Sequence, residues 1–308
     1  MSESPPSGSP APAAPAAGAG DAGGHPPHPI VDAARARGIP VRRVPGASPP
    51  LLLLGHGRKR RLAWRHFTAS TSHVGTIAST SKPLAKSLLV GAGLPAPSGA
   101  VASDVDGALA IARRTGWPVV VKPVGTDHGV AVFTDLAGEA ALREAFAMAC
   151  VHGPVLVEKH VPGEHVRLLV IGGRCVAAVL TLPARVVGDG RASVAELVGR
   201  ANVGRADTLA PQGRRIEIDD EARWVLAQQG HAPGSVPRAG ELVRLRTASN
   251  LSRGGTYEPV TDRVHPENRA LAERAARVFE LDVAGVDLIV ADIARPWQAQ
   301  PCGIVEVN

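Results

Sequence analysis

Hydrophobic and polar residues alternate in two runs near the end of the chain, which predicts two neighbouring β-strands. The runs cover 285–292 (GVDLIVAD) and 303–308 (GIVEVN). Side chains two positions apart share a face of a strand, so Glu306 and Asn308 project together and Asp287 can face them. Three oxygen ligands of this kind suit Mg²⁺, although solvated carboxylates on an ordinary edge hairpin would give the same pattern.

Several other segments have the spacing of amphipathic helices or the apolar runs of buried strands. Helices are predicted over 31–38, 84–93, 103–116 (capped by Ser103), 139–151 and 267–281, and strands over 39–44, 119–123 and 154–161. Gly172 and Gly173 predict the turn of a hairpin spanning 167–180, and Ser193 with Glu196 has the spacing of a helix-capping box. Because strands and helices do not alternate strictly, the sequence predicts an α+β fold.

Residues 1–28 consist almost entirely of proline, alanine, glycine and serine. A segment without large apolar side chains cannot offset the entropy of ordering, so we expect a disordered tail. A GxGxxG match at 18–23 lies inside this tail with neither a strand before it nor a helix after it. We therefore interpret the match as accidental and place the start of the folded chain near Ile30.

Length and composition indicate a globular protein of more than one lobe. With 308 residues, 44% of them hydrophobic, the chain is long enough for a real core and two or three lobes. It contains neither an apolar run of membrane-spanning length nor a secretory signal pattern, so we expect a cytoplasmic protein without a membrane partner. The odd, widely spaced cysteines (Cys150, Cys175 and Cys302) fit buried thiols better than disulfides or a zinc site.

The formal charge of +6 is compatible with a nucleic acid or with small phosphate-rich substrates. Aromatic residues make up only 3% of the chain, which leaves few rings for base stacking, so we expect no nucleic-acid partner. The basic run 58–61 is more typical of a solvated surface than of a polyanion site.

Lys122 follows three valines and precedes Pro123 and a glycine-bearing loop that includes His128 and Gly129. A lysine at a strand end can direct its ammonium at a phosphate, with loop N–H groups as further donors. Lys82, at the head of a predicted helix, offers a second positive charge. For Lys122 alone, a surface lysine at a strand-to-turn junction is the alternative interpretation.

The segment 155–163 (VLVEKHVPG) reads as a strand that continues into an extended hinge. Main-chain groups of such a hinge can bind an adenine ring, and Glu158 is placed to accept a hydrogen bond from its amino group. A plain edge strand would have the same pattern.

In this order, these motifs resemble those of the ATP-grasp ligases, and most closely those of the ATP-grasp domain of cyanophycin synthetases. Family-like phrases cover about 30–308, among them IVDAARARGIPV, LGHGRKRR, RLLVIGGRCVAAV, PARVVGDG, VPRAGELVRLR, NLSRGG, VTDRVHPEN and LDVAGVDLIVADI. The resemblance implies an α+β ATP-grasp fold, with two lobes enclosing a nucleotide cleft. It assigns 81–308 to this domain, truncated at its C-terminus relative to the family, and 29–80 to a lead-in segment.

The resemblance also implies ATP and Mg²⁺ as cofactors and a role for each matching residue. The nucleotide would be bound by Lys82, Lys122, His128, Gly129, Glu158, Lys159, Val161 and Glu164. The metal ligands would be Asp287, Glu306 and Asn308. Arg167 is the expected donor to an acyl phosphate, and Asn250 and Ser252 belong to a loop near the acceptor substrate.

The chain departs from the family pattern at several of these positions. Ser81 stands where an aspartate precedes the first lysine, and the phosphate loop reads HGVAV rather than HGRGV. His165 occupies the place of the ribose-binding acid, for which the adjacent Glu164 is the expected substitute. Thr181 replaces an arginine associated with the substrate carboxylate. We expect no counterpart in this sequence of the family's separate N-terminal and C-terminal domains, and weak or no turnover unless the family's following proline-glycine segment is added.

The activity implied by the resemblance is ATP-dependent carboxylate–amine ligation through an acyl phosphate, as in the domain that adds aspartate to a growing peptide. An amino acid or peptide is the expected substrate. A catalytically impaired ATP-binding remnant, or a fragment of a longer ligase, is the alternative. Homo-oligomerisation is left open by the sequence.

Overall fold

A computed structural model of the chain describes residues 29–47, 51–126, 129–205 and 214–308. The predicted disordered tail, the accidental GxGxxG match and His128 lie outside these ranges. The chain divides into two compact units, Met1–Trp64 and Arg65–Asn308. The stretch 65–80, predicted as part of the lead-in segment, falls within the second unit.

The described part of the first unit is a small antiparallel sheet with one helix. Its elements are α1 (Pro29–Ala36), β1 (Val41–Arg43), β2 (Leu52–Leu54) and β3 (Arg61–Trp64). Strand β2 pairs with both β1 and β3. The basic run 58–61 is exposed, in agreement with the interpretation of a solvated surface.

The second unit contains the remaining helices and strands. Its helices are α2 (His73–Thr80), α3 (Lys82–Gly91), α4 (Val105–Thr115), α5 (Glu139–Cys150), α6 (Val194–Ala201), α7 (Asp220–Gln228) and α8 (Pro266–Val278). Its strands are β4 (Phe67–Thr68), β5 (Gly99–Ala102), β6 (Val119–Pro123), β7 (Phe133–Leu136), β8 (Val155–Lys159), β9 (Glu164–Ile171), β10 (Arg174–Leu182), β11 (Arg185–Val187), β12 (Leu242–Arg244), β13 (Thr256–Pro259), β14 (Val283–Val290) and β15 (Cys302–Val307). None of the helices in the described ranges combines the length and the apolar character needed to cross a membrane.

One lobe of this unit is an antiparallel sheet of order β5-β8-β6-β7, packed against α4 and α5. Val119 and Val121 of β6 enter the core with Val155 and Val157 of β8. Because successive side chains alternate between faces, the polar end of β6 at Lys122 lies on the opposite face. The sheet thereby carries its lysine on the side away from the core.

The other large lobe is a five-stranded antiparallel sheet of order β13-β10-β9-β14-β15. Its core face packs on α8 and α3, and the glycine turn between β9 and β10 has a positive φ at both residues, as predicted. The two predicted terminal strands are confirmed as β14 and β15. Asp287 and Glu306 are direct cross-strand partners, on the face turned away from the core.

A third, smaller layer joins the two-stranded sheet β11-β12 to α6 and α7 around its own apolar core. The predicted capping box is confirmed: Ser193 accepts from the Glu196 N–H, and the Glu196 carboxylate accepts from the Ser193 N–H. Reciprocal bonds of this kind satisfy two otherwise unpaired N–H groups at the start of α6.

The sequence located most elements to within a few residues but misplaced one cap. Helix α4 is capped by Asp104, whose side chain accepts from the Gly107 N–H at 2.7 Å, and the prediction of Ser103 is wrong. Asp and Ser are comparable N-caps, so two adjacent candidates are not separable by propensity. The helices α2 and α7 and the strands β2 to β5, β7 and β11 to β13 were not predicted.

Two helical glycines differ sharply in their surroundings, which predicts opposite effects of alanine. A Cβ at Gly75 would lie 1.6 Å from the carbonyl oxygen of Phe279, whereas a Cβ at Gly91 would meet nothing within 4 Å. We expect Gly75→Ala to lower the free energy of unfolding by about 2–3 kcal/mol, because backbone must move. Gly91→Ala should raise it by up to about 1 kcal/mol. Urea unfolding of both variants measures this, and equal effects would contradict the close packing of α2.

Candidate functional site

The two large lobes of the second unit enclose a cavity of about 220 Å³. Its walls come from the cavity-facing side of both sheets, from the hinge after β8 and from the segment 247–250. The residues assigned from the sequence that line it are Lys82, Lys122, Gly129, Glu158, Lys159, Val161, Asn250 and Glu306. Arg167, Glu164, Ser252, Asp287 and Asn308 are not among the described lining residues.

Lys82 is the first residue of α3, and its ammonium reaches the glycine-bearing loop. Nζ donates to the carbonyl of Val124 at 3.0 Å and to that of Thr126 at 2.6 Å. The side chain therefore holds the loop after β6 against the helix while lining the cavity.

Lys122 and Glu158 form a buried ion pair at the cavity wall, and a third residue completes it. Lys122 Nζ lies 2.6 Å from Glu158 Oε1, and Lys86 Nζ binds the other carboxylate oxygen, Oε2. Lys86 also donates to the carbonyl of Pro97 at 2.6 Å. Glu158 is only 2% exposed. Lys86 was not predicted, since a lysine in an amphipathic helix is ordinarily solvated.

The electrostatics of this cluster favour an ionised carboxylate. Burial alone would raise the pKa of Glu158, but the ammonium groups of Lys122 and Lys86 outweigh burial and hold the pKa below its ordinary value. Burial lowers the pKa of Lys86, and the Glu158 carboxylate opposes that shift. One carboxylate is thus shared by two cations in a poorly solvated place.

The predicted hinge follows β8, and its residues Lys159, His160, Val161 and Gly163 line the cavity. The Lys159 N–H donates to Ser98, the His160 N–H donates to Pro118, and Lys159 Nζ donates to the carbonyl of Trp117 at 2.7 Å. These bonds fix the hinge backbone. The Glu158 carboxylate faces the two lysines, so its predicted contact with an adenine amino group would compete with ion pairs that already exist.

The acidic end of the site lies on β14 and β15. Asp287 is 3% exposed, and its Oδ2 accepts from Arg167 Nη1 at 2.9 Å and from Asn308 Nδ2 at 3.1 Å. Asn308 is held in the sheet, since its N–H and carbonyl both pair with Gly285. The predicted ligand set Asp287, Glu306 and Asn308 is therefore brought together on two rigid strands.

These side chains suit a hard cation. Burial and the nearby Asp287 carboxylate raise the pKa of Glu306, an effect that Lys82, Lys122 and Arg167 only partly offset. A cation bound between Asp287 and Glu306 would relieve this repulsion, and the oxygen donors of two carboxylates and an amide match Mg²⁺. Asn308 would present its oxygen after a flip of the amide. Within the described ranges, no group of three or more His, Cys, Asp or Glu offers an alternative site.

Arg167 reaches Asp287 because the neighbouring strand carries a glycine. Arg167 and Asp287 are cross-strand partners, and a Cβ at Gly285 would lie 2.5 Å from the Arg167 guanidinium. The guanidinium therefore lies over the bare backbone of β14. Its predicted role as a donor to an acyl phosphate requires that it leave Asp287.

Asn250 and Ser252, the residues assigned to the acceptor loop, lie in a turn that packs against the glycine-bearing loop. Asn250 Oδ1 accepts from the Ser252 N–H at 2.8 Å, and a Cβ at Gly129 would lie 3.1 Å from that of Asn250. Thr247 Oγ1 donates to the carbonyl of Val132 at 3.0 Å. Asn250 thus faces the cavity, whereas Ser252 stabilises the turn through its backbone.

A buried charge cluster supports this turn from the third layer, and the sequence did not predict it. Arg246 is 2% exposed and lies 2.9 Å from Asp219, which also pairs with Arg253 at 2.6 Å. Glu221 lies 3.2 Å from Arg253, and burial raises the pKa of Glu221 despite the two arginines. The partners are distant in sequence, so spacing alone gives no signal.

His165 and Thr181, two departures from the family pattern, contact each other across β9 and β10. Thr181 Oγ1 lies 2.8 Å from His165 Nδ1, and His165 Nε2 lies 3.4 Å from Asp287 Oδ1. His165 lines the cavity, and consecutive strand residues point to opposite faces. This alternation does not favour Glu164 as the ribose-binding substitute, which stays a prediction.

The amino-acid sequence of the chain is similar to part of several known proteins. It is 35% identical to cyanophycin synthetase of Nostoc sp. over 283 residues, 91% of this chain and 31% of that protein. It is 32% identical over 259 residues to the glutathione biosynthesis bifunctional protein GshAB of Streptococcus thermophilus, covering 79% of this chain and 33% of that one. The chain therefore spans about a third of the length of the curated relatives it matches.

The fold has a matching solved structure. The crystal structure of a bifunctional glutathione synthetase from Pasteurella multocida superposes with a TM-score of 0.57 at 28% identity, covering 87% of this chain and 38% of that one. No protein-family model matches the chain.

Proposed function

We propose that the chain is an ATP-grasp domain, similar to the matched third of cyanophycin synthetases, and that it ligates a carboxylate to an amine at the expense of ATP. The observation that carries the proposal is the meeting of opposite charges in one cavity: Lys82 and Lys122 line it together with Glu306, the strand partner of Asp287. A nucleoside triphosphate with a divalent cation needs both kinds of group.

The proposed reaction has two steps. A carboxylate oxygen of the first substrate attacks the γ-phosphorus of ATP, forming an acyl phosphate and releasing ADP. The amine of the second substrate then attacks the acyl carbon, and the C–O bond to phosphate breaks. The products are an amide and inorganic phosphate, and the amine loses a proton. The protein contributes mainly positioning and charge neutralisation.

Each group of side chains has a role in these steps. Lys82 and Lys122 would neutralise phosphate oxygens, and the backbone around Gly129 would supply N–H donors. Asp287, Glu306 and Asn308 would hold Mg²⁺, which supplies charge neutralisation at the phosphates when bound. Arg167 would turn from Asp287 towards the reacting carboxylate once a cation neutralises that aspartate.

The substrates we propose are aspartate and a peptide. We base this specificity on the similarity to cyanophycin synthetases. Asn250, from the turn assigned to the acceptor, lines the cavity. Thr181 stands where the family pattern has an arginine, so recognition of a substrate carboxylate would depend on other groups in this chain.

An assay with Mg–ATP, aspartate and an aspartate-containing peptide tests the proposal, on the purified chain and on the chain extended by the family's following proline-glycine segment. We expect phosphate release that requires both substrates, with an equal amount of extended peptide detected by mass spectrometry. Phosphate release without an amide product would contradict ligation. Nucleotide binding by the extended chain without phosphate release, with any amino acid offered, would favour the ATP-binding remnant.

A further inference from the structure

Lys86 lies outside the residues assigned from the sequence, yet it completes the ion pair of the phosphate-binding lysine. It stands one helical turn after Lys82 on α3, and positions four apart share a helix face. Its side chain is 15% exposed, compared with 10% for Lys122 and 2% for Glu158. The three charged groups are therefore all largely shielded from solvent.

Both oxygens of Glu158 are engaged by these cations. Strand pairing sets Glu158 beside Val120, so the carboxylate lies on the same sheet face as Lys122, two residues further along β6. Lys122 takes Oε1 and Lys86 takes Oε2, while Pro97 provides a second acceptor for Lys86. The cluster carries one negative and two positive charges, and so one net positive charge.

We propose that Glu158 serves as a counter-ion shared by Lys86 and Lys122, and that Lys86 thereby positions Lys122 for phosphate without touching the nucleotide. This inference deepens, and rests on, the nucleotide binding proposed above. It assigns Glu158 a role different from that of an acceptor for the adenine amino group, because each carboxylate oxygen already accepts from an ammonium and the residue is only 2% exposed.

Sharing the carboxylate has a consequence for Lys122. With Lys86 present, Glu158 orients the Lys122 ammonium but neutralises it incompletely. Without Lys86, Glu158 neutralises Lys122 fully, and the cluster has no net positive charge to attract a triphosphate. Removing Glu158 together with Lys86 restores the single net positive charge, which predicts that the two substitutions are strongly non-additive.

The first test asks whether Glu158 acts as a counter-ion for the two lysines or as a hydrogen-bond acceptor for the adenine amino group. Binding of Mg–ATP and of Mg–inosine triphosphate, which lacks the exocyclic amino group, is measured by calorimetry for wild type and Glu158→Gln. We expect the ratio of the two affinities to change by less than about twofold. A Glu158→Gln variant that loses affinity for ATP at least about tenfold more than for inosine triphosphate would overturn the proposal.

The second test is a double-mutant cycle. Lys86→Met is expected to weaken Mg–ATP binding roughly three- to tenfold in the wild-type background and less than about twofold in the Glu158→Gln background. Lys86→Arg should retain wild-type affinity. Arg113→Met, which removes a positive charge from an exposed pair with Glu139, is the matched control. Equal effects of Lys86→Met in both backgrounds would overturn the inference.

Circular dichroism verifies folding, and Lys86→Gln replaces Lys86→Met if the latter does not fold. Two failures can be told apart. Wild-type protein that binds neither nucleotide would contradict the proposed function, and this inference with it. Wild-type protein that binds both nucleotides, with additive substitutions, would contradict the positioning role alone.

Discussion

Replacing Glu306 with glutamine is expected to reduce ATP-dependent amide formation by about a hundredfold or more, because charge stabilisation of this kind is worth several kcal/mol. The substitution keeps the size of the side chain but removes one of the two facing carboxylates. We expect the opposite effect on folding. Since burial and Asp287 raise the pKa of Glu306, its charge opposes folding, and the variant should be at least as stable as wild type.

The raised pKa of Glu306 also predicts how the stability of the folded protein changes with pH. A raised pKa means that folded protein binds more protons than unfolded protein, so wild type loses stability as pH rises from the ordinary range of glutamate through the raised pKa. Glu306→Gln should lack that loss. Glu258→Gln, at an exposed position of β13 in the same sheet, is the control. Full activity in Glu306→Gln would remove this residue from the site.

Lys122→Met is expected to weaken Mg–ATP binding about ten- to a hundredfold, the worth of one charge-assisted phosphate contact. The variant should stay folded, because the Glu158 carboxylate keeps Lys86 as its partner. Isothermal titration calorimetry measures the affinity directly.

The matched control for this variant is Lys59→Met, which makes the same change at an exposed lysine. Its affinity should equal that of wild type. A general loss of positive charge would weaken both variants alike, whereas a specific contact weakens only the first. Equal affinities for Lys122→Met and wild type would contradict the assignment of Lys122 to phosphate.

Local sequence patterns predicted those helices and strands of the second unit in which one spacing of apolar residues extends along the whole element. Alternation along 285–292 and 303–308 identified β14 and β15, and the period of two also placed Asp287 and Glu306 on one face. The three valines of β6 predicted a buried strand over 119–123, as the structure shows. In each case the information lies within a few consecutive residues.

Long-range pairing was not predictable in the same way. Nothing in the spacing of Lys86 separates it from a solvated helix lysine, and only the packing of α3 beside β8 gives it a buried partner. The cluster of Arg246 with Asp219 depends likewise on tertiary contacts. Glu158 illustrates the difference, because its place on the cavity wall was predicted and its partners were not.

The most direct test of the central claim follows one oxygen atom. Aspartate and the acceptor peptide are labelled with oxygen-18 in their carboxylates, in separate experiments, and the phosphate released is analysed by mass spectrometry. Ligation through an acyl phosphate predicts that label from one of the two substrates appears in the phosphate, because the attacked oxygen leaves with it. Phosphate that carries no label in either experiment, while amide accumulates, would contradict the mechanism.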